Sequence, residues 1–276
     1  MKPDIDVFGL THIGKVRQLN QDHFVVATVH KRLEVHASSL LDLATLGVGD
    51  DRLATLAAVA DGVGSGVGGE QASKFAVEQM LEYLGHARRC YEMHDETADS
   101  FVSDLQRAAM ACHVELVGRR HEDPSLTGLS TTLTLVLGVW PWIYVLQTGD
   151  SRYYLYREGA LQQVTRDQTL AQDLVDQGVL SRAEAPQSVL ANVLSSSLGG
   201  PESEPVVTRI RAEWRNVHLL CSDGLTKHVP DERIAARLRD MTSARQTCQG
   251  LVDDALEAGG TDNITVVIGR AAARPA

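Results

Sequence analysis

The chain has 276 residues, of which 43% are hydrophobic, and its formal net charge is −10 at pH 7. This length suits one large domain or two small ones, and the apolar content argues against a disordered chain. The acidic balance argues against nucleic-acid binding and anionic membranes, and no run approaches the roughly 20 apolar residues of a membrane span. We therefore expect a cytoplasmic protein that binds neither nucleic acid nor membranes.

Hydrophobic periodicity and turn residues divide the chain into alternating elements. The predicted strands are 4–11, 22–29, 53–60, 129–139, 143–148, 151–156, 161–165, 206–211, 217–221 and 264–269. The predicted helices are 70–89, 97–119, 169–177, 231–239 and 244–258.

The order of these elements predicts an α+β fold. No regular strand–helix–strand alternation and no internal repeat occur, which favours antiparallel sheets with helices packed outside them. The four strands between 129 and 165 are interpreted as one meander, with Glu158-Gly159 as a hairpin turn. We expect a single domain over 1–270, with residues 30–52 as an excursion, slightly favoured to be an extended hairpin, and 271–276 as a loose tail.

Two aspartates stand where apolar strands end, each followed by glycine. Residues 57–61 and 217–223 each place their aspartate, Asp61 or Asp223, on the strand face that carries apolar side chains. A carboxylate in that position is costly unless it is paired or bound to metal. For Asp61 the alternative is a plain Asp-Gly hairpin turn, but the following residues are glycine-rich and then helical.

Two further aspartates adjoin strands, and an arginine lies near one of them. Asp22 opens the second strand and Asp262 precedes the last; taken alone, each is better explained as a turn or cap residue. Together, four such carboxylates without a His/Cys cluster suit hard cations, Mg²⁺ or Mn²⁺. Arg17 is either a bidentate phosphate clamp or half of a structural arginine–carboxylate pair.

The glycines after Asp61 do not match a phosphate-binding fingerprint, because no Lys-Ser/Thr pair follows them and no GxGxxG opens the helix. We interpret them as positions of close backbone approach at the entry to the next helix.

Taken in order, the motifs give the chain a specific resemblance over about residues 8–269. They are GKVRQLNQD, VADGVGSGVGGEQAS, TTLTLV, TGDSRYYLYREG, LCSDGLTKHVPDERI and GGTDNITVVI. In this order they resemble the metal-dependent protein serine/threonine phosphatases of the protein phosphatase 2C, or PPM, family, and most of all its compact bacterial branch. The resemblance implies a four-layer α-β-β-α sandwich of two central antiparallel sheets, with a binuclear Mn²⁺/Mg²⁺ centre at one end.

The resemblance also implies roles for individual residues. They are Asp61 as the bridge between both metals, the Gly62 carbonyl as a ligand of one, Asp223 and Asp262 as ligands of the other, Asp22 as a ligand or orienter of metal-bound water, Arg17 as the phosphate-binding residue and Asp167 as a ligand of a weaker third metal. Three positions depart from the family pattern: Gln21 replaces a frequent Glu, Val63 replaces a His of eukaryotic members, and Ser125 replaces a third-metal Asp.

The implied activity is hydrolysis of phosphoserine and phosphothreonine in proteins by metal-activated water, in signalling that opposes a Ser/Thr kinase. Two cations lower the pKa of the water between them and neutralise the phosphoryl group, so no nucleophilic Cys or Ser is needed. We expect a monomer. The alternative is a non-catalytic phosphoprotein-binding or regulatory module on the same fold, which would normally have lost metal ligands.

Overall fold

The computed structural model describes residues 4–31, 51–64, 67–86, 98–123, 126 and 128–272. Its strands are β1 Asp4–His12, β2 Asp22–Lys31, β3 Asp51–Asp61, β4 Leu133–Val139, β5 Trp142–Thr148, β6 Arg152–Arg157, β7 Ala160–Gln163, β8 Val206–Arg211, β9 Val217–Cys221 and β10 Ile264–Ala272. Its α-helices are α1 Val67–His86, α2 Ala98–Glu122, α3 Leu170–Asp176, α4 Asp223–Thr226, α5 Asp231–Arg239 and α6 Ala244–Glu257, and a 3₁₀ turn covers Ala185–Gln187.

The strands form two five-stranded sheets, ordered β1-β10-β9-β6-β7 and β2-β3-β4-β5-β8. All neighbouring strands in both sheets are antiparallel. Helices α1 and α2 pack on the second sheet, and α4, α5 and α6 pack on the first. The layers are therefore helix, sheet, sheet, helix, and the predicted α+β sandwich is confirmed.

Three buried apolar clusters lie between the four layers of helices and sheets. Strand β3 contributes side chains to two of these clusters. Ala58 and Ala60 face the helices, where they join Met80 of α1 in one cluster. Val59, pointing the opposite way because side chains alternate along a strand, packs between the sheets with Tyr153 and other apolar side chains. The third cluster lies under α5 and α6.

The predicted four-strand meander is wrong. Strand β5 pairs with β4 and β8, whereas β6 pairs with β7 and β9 in the other sheet. The chain therefore crosses from one sheet to the other at residues 149–151, where Gly149 has a positive φ of 99°. The order of strands along the chain does not reveal this crossing. The edge of β5 that β6 would occupy in a meander pairs instead with β8, about sixty residues later. The hairpin turn at Glu158-Gly159 is confirmed, and both residues have positive φ, 51° and 84°.

The second predicted hairpin is visible at its base. Strands β2 and β3 pair as far as Lys31 and Asp51, with a bulge between Val29 and His30. Residues 32–50, the middle of the expected excursion, lie outside the described residues. Strand β10 continues to Ala272, two residues into the segment expected as a tail, and residues 273–276 also lie outside the description. No helix in the described ranges combines the length and the apolar character needed to cross a membrane.

Candidate metal centre

Asp22 links the two sheets at one end of the sandwich. Its carboxylate is only 3% exposed, and Oδ2 accepts hydrogen bonds from Ser222 Oγ at 2.7 Å and Thr265 Oγ1 at 2.6 Å. Both donors belong to the opposite sheet, in the loop after β9 and in β10. Burial raises the pKa of Asp22 to about 6, although these two hydrogen bonds oppose the rise.

Asp61 lies directly opposite Asp22 across the β2–β3 pair. Thr132 Oγ1 accepts a hydrogen bond from the Asp61 amide at 3.0 Å, and Thr131 Oγ1 donates to the Asp61 carbonyl at 2.9 Å. The threonines of the TTLTLV motif therefore fix the backbone from which this carboxylate projects. Burial raises the pKa of Asp61 well above its usual value, and repulsion from Asp22 and then Asp223 raises it further. The hairpin alternative for Asp61-Gly62 is wrong, because β3 leads into α1.

Asp223 reaches the same end of the molecule from the other sheet. Strand β9 ends at Cys221, and Asp223 is the first residue of the one-turn helix α4, so the strand alternation expected for it stops two residues earlier. Its Oδ2 lies 2.5 Å from the Nζ of Lys227, which stands four residues later at the C-cap of α4. Burial alone would lower the pKa of Lys227, but attraction to Asp223 and hydrogen bonds to Asp223 and Asp262 outweigh it and raise the pKa.

Asp262 precedes β10 and is paired with two cations. Arg17 donates from Nε to Oδ1 at 2.7 Å and from Nη2 to Oδ2 at 3.0 Å, and Lys227 Nζ donates to Oδ2 at 2.9 Å. Burial acts to raise the pKa of Asp262, but the hydrogen bonds from Arg17 and Lys227 outweigh it and lower the pKa. The bidentate contact is the arginine–carboxylate pair that the sequence left open as one of two readings of Arg17.

Asn263 positions the loop that carries Arg17. Its Nδ2 donates to the carbonyls of Ile13 and Leu19 at 2.9 and 3.0 Å, and its Oδ1 accepts from the Gln21 amide at 2.8 Å. One buried side chain thus binds both ends of residues 13–21, which explains why the GGTDN and GKVRQLNQD motifs act together.

The glycines beside Asp61 allow two backbones to touch. A Cβ on Gly62 would lie 2.3 Å from the Gly69 carbonyl oxygen, and one on Gly69 would lie 2.4 Å from Gln21 Nε2. The close approach expected of the glycines after Asp61 is therefore confirmed for Gly69, which has no room for a side chain, whereas a Cβ on Gly64 would have no neighbour closer than 4.0 Å.

Asp150 is a functional candidate that sequence reasoning missed. It lies in the crossing between the sheets, and burial, followed by repulsion from Asp223 and Asp167, raises its pKa to about 8. The signal was present in TGDSR, where an apolar strand again ends in an aspartate beside glycine. The predicted meander hides this signal, because it treats Asp150 as part of a turn between two neighbouring strands of one sheet.

Asp167 is held by side chains of the protein. Arg152 donates from Nε to Oδ1 at 2.9 Å and from Nη2 to Oδ2 at 2.6 Å, and Gln163 Nε2 donates to Oδ1 at 2.8 Å. Its negative charge is still close enough to raise the pKa of Asp150. Ser125, the position expected to weaken a third site, lies outside the described residues.

Two buried carboxylate oxygens of this cluster, Asp22 Oδ1 and Asp223 Oδ1, accept no hydrogen bond within the described part of the chain. Such oxygens are costly to bury and fit a cation as their partner, and an all-oxygen set suits Mg²⁺ or Mn²⁺. The aspartates lie close enough to shift one another's pKa values, yet no three His, Cys, Asp or Glu side chains among the described residues form a ready-made ligand group. Two of the carboxylates, Asp223 and Asp262, are bound by Lys227 and Arg17.

The family model for protein phosphatase 2C matches residues 41–258, well over half of the chain. The chain belongs to the protein phosphatase 2C family. A serine/threonine protein phosphatase of Mycobacterium tuberculosis, PstP, is 35% identical over 215 residues, which cover 78% of this chain. The chain spans only 40% of that relative's length. A serine/threonine phosphatase of Listeria monocytogenes is 29% identical over 76% of this chain and 82% of its own.

Solved structures of protein phosphatase 2C relatives have the same fold. The M. tuberculosis phosphatase PstP superposes with a TM-score of 0.76 at 29% identity, covering 96% of this chain and 98% of that one. A second structure of the PstP catalytic domain, with two manganese ions, gives a TM-score of 0.73 at 29% identity, covering 96% and 97%.

Proposed function

We propose that this chain is a metal-dependent protein serine/threonine phosphatase that hydrolyses phosphoserine and phosphothreonine. The family and the similarity to named serine/threonine phosphatases support this activity. The observation that carries it is the carboxylate cluster at one end of the sandwich, in which Asp22 and Asp223 each bury an oxygen that accepts no hydrogen bond from the described residues.

The residues proposed to hold two Mn²⁺ or Mg²⁺ ions are Asp22, Asp61, Asp223, Asp262 and the carbonyl of Gly62. When bound, such ions supply a nucleophilic water at neutral pH and neutralise charge on the phosphoryl oxygens. The protein keeps the ligands in place: Ser222 and Thr265 fix one oxygen of Asp22, and the Thr131–Thr132 pair fixes the backbone of Asp61. A third ion at Asp167, as expected from the sequence, would have to replace Arg152 there.

Arg17 is proposed to bind the substrate phosphate. Its side chain is 44% exposed, and the fork on Asp262 uses two of the five guanidinium N–H donors. The other edge of the guanidinium is available to a phosphate oxygen, so the same pairing that orients Arg17 supports a phosphate-binding role.

The proposal is tested with Asp61→Asn and Asp223→Asn, each checked for folding by circular dichroism. Replacing a metal-binding carboxylate is expected to lower hydrolysis of a phosphothreonine peptide in Mn²⁺ by about 100-fold or more, beyond the usual effect of a residue that only supports a ligand. Wild type with EDTA gives the metal-free baseline. Asp240→Asn, at an exposed Arg239–Asp240 pair, is the control and should keep full activity. Wild-type rates in the two folded site variants would contradict the proposal.

The alternative, a phosphoprotein-binding module without turnover, has one observation in its favour: Lys227 and Arg17 are paired with Asp223 and Asp262. It predicts that wild type binds a phosphothreonine peptide in saturating Mn²⁺ without releasing phosphate. Phosphate release under those conditions excludes it.

We further infer that the substrates are phosphorylated Ser/Thr proteins, that a Ser/Thr kinase opposes the enzyme, and that it acts as a monomer in the cytoplasm. Sedimentation of the purified chain tests the oligomeric state, and fractionation of cells tests the location.

A further inference from the structure

Lys227 occupies a position that its own helix dictates. Helix α4 is a single turn, closed by the hydrogen bond from the Lys227 amide to the Asp223 carbonyl at 2.8 Å. Residues four apart on a helix are neighbours, so the lysine side chain lies over Asp223. Its Nζ reaches Asp223 Oδ2 at 2.5 Å and Asp262 Oδ2 at 2.9 Å.

The ammonium therefore joins two carboxylates that come from separate segments of the chain, at the place proposed for a divalent cation. These carboxylates are 18% and 17% exposed, and the lysine side chain is 30% exposed. The site has an independent mark of cation binding, since the nearby Asp22 carboxylate is almost fully buried and its Oδ1 accepts no hydrogen bond within the described residues.

We propose that Lys227 is a built-in counter-ion that holds Asp223 and Asp262 together before a divalent ion binds, and that it must leave them when the ion arrives. This inference rests on the proposed metal centre. An ammonium on a flexible four-carbon chain can move to solvent, and the partly exposed side chain has room to do so. Lys227 would thus weaken metal binding at these two carboxylates and stabilise the metal-free fold.

The decisive comparison is Lys227→Met against Lys74→Met. Lys74 also pairs with an acid four residues away, Glu78 at 3.8 Å, but it lies on the exposed face of α1 at 62% exposure. Both changes remove one ammonium from an i,i+4 pair, so the two variants differ in whether the carboxylate belongs to the proposed metal centre.

Calorimetric titration of Mn²⁺ into EDTA-treated, dialysed protein is expected to give a Kd about ten-fold lower for Lys227→Met than for wild type, since the lysine no longer has to be displaced. In EDTA, its melting temperature should fall by several degrees, because Asp223 then loses the cation that it shares with Asp262, and Arg17 still pairs only with Asp262. Lys74→Met should match wild type in both measurements. Lys227→Gln, which is shorter and also neutral, gives the same readout if the methionine variant does not fold.

Three results would overturn the inference. Equal Mn²⁺ affinity and equal metal-free melting in wild type and Lys227→Met would reduce the lysine to an ordinary ion pair while leaving the metal centre intact. Weaker Mn²⁺ binding in Lys227→Met would mean that the lysine assists the ion. Absence of Mn²⁺ binding in wild type and in both lysine variants would overturn the proposed metal centre itself, and the role of Lys227 with it.

Discussion

The carboxylate of Asp167 is matched on both oxygens by donors from the protein. Arg152 and Gln163 supply them, and the ion pair is partly buried, with side-chain exposures of 25% for Arg152 and 18% for Asp167. A metal ion would have to displace the guanidinium to gain both oxygens. Arg17 binds both oxygens of Asp262 in the same way, so the arrangement makes Asp167 half of a structural ion pair in the metal-free protein, while its proposed role as ligand of a weaker third ion stays a prediction.

Asp167→Asn is accordingly expected to lower the free energy of unfolding by about 1–2 kcal/mol in EDTA, because charge-assisted hydrogen bonds are lost. Urea denaturation measures this change. Asp240→Asn, at an exposed Arg–Asp pair, is the control and should leave the stability unchanged. Mn²⁺ affinity of the two main proposed sites should stay at the wild-type value, and loss of a third, weaker binding event would show that Asp167 is a metal ligand.

At the scale of an element, α4 is the short helix on which the site depends most. It carries Asp223 at its start and is followed at once by Lys227. Its second residue, Gly224, lies against the loop before β10, and a Cβ there would stand 1.9 Å from the Asn263 carbonyl oxygen. Backbone cannot give way as a flexible side chain can, so a side chain at position 224 would push α4 away from the loop that carries Asp262.

Gly224→Ala should therefore push α4 away from β10. We expect a loss of about 1–3 kcal/mol in stability, as for overpacking, together with Mn²⁺ binding weakened by about ten-fold or more. Denaturation and calorimetry measure the two effects. Gly118→Ala in α2 is the matched control, because nothing lies within 4 Å of its Cβ, and it should be neutral or slightly stabilising. Normal metal binding by Gly224→Ala would show that α4 tolerates the shift.

At the scale of the whole molecule, the layer between the sheets contains a titratable group. His218 of β9 stacks on Tyr153 with ring centroids 6.1 Å apart, and its Nδ1 lies 2.7 Å from the tyrosine hydroxyl. Burial lowers the pKa of His218 from 6.5 to about 4. Between these pH values His218 binds a proton more readily in the unfolded chain than in the folded one, so its titration favours unfolding as the pH falls.

The stability of wild type is therefore expected to fall by about 1–3 kcal/mol more than that of His218→Phe as pH decreases from 6.5 to 4. The phenylalanine keeps the ring stack and removes the titration, and the unpaired Tyr153 hydroxyl costs the same at every pH. Urea denaturation in EDTA across this range provides the test. Parallel profiles for the two proteins would show that His218 is not kept neutral by folding.

Much of the fold could be predicted from the sequence, because the patterns that indicate strands, helices and strand-end aspartates involve residues close together in the chain. Strand-end aspartates such as Asp61 are visible where an apolar run meets glycine, and β8, β9 and α5 begin and end at the predicted residues. The motif order identified the family, which the family model confirms. The roles of the individual site residues remain predictions.

The misses are long-range. Whether β6 joins the sheet of β5 depends on which strand pairs with the free edge of β5. No sequence pattern near residue 150 indicates that this strand is β8. The same strand assignment conceals Asp150. The single turn of α4 is too short to give a helical period, so no pattern in the LCSDGLTK segment indicates that Lys227 lies over Asp223.

The order of strands in the first sheet sets when the protein can fold during synthesis. Strand β1 is at the edge of that sheet and pairs with β10, which comes after all the other described strands in the chain. Asp262 and Asn263 emerge from the ribosome only just before it. Strand β1 can therefore pair only after nearly the whole domain has been translated. A chain that lacks β10 has neither the complete first sheet nor the complete carboxylate cluster.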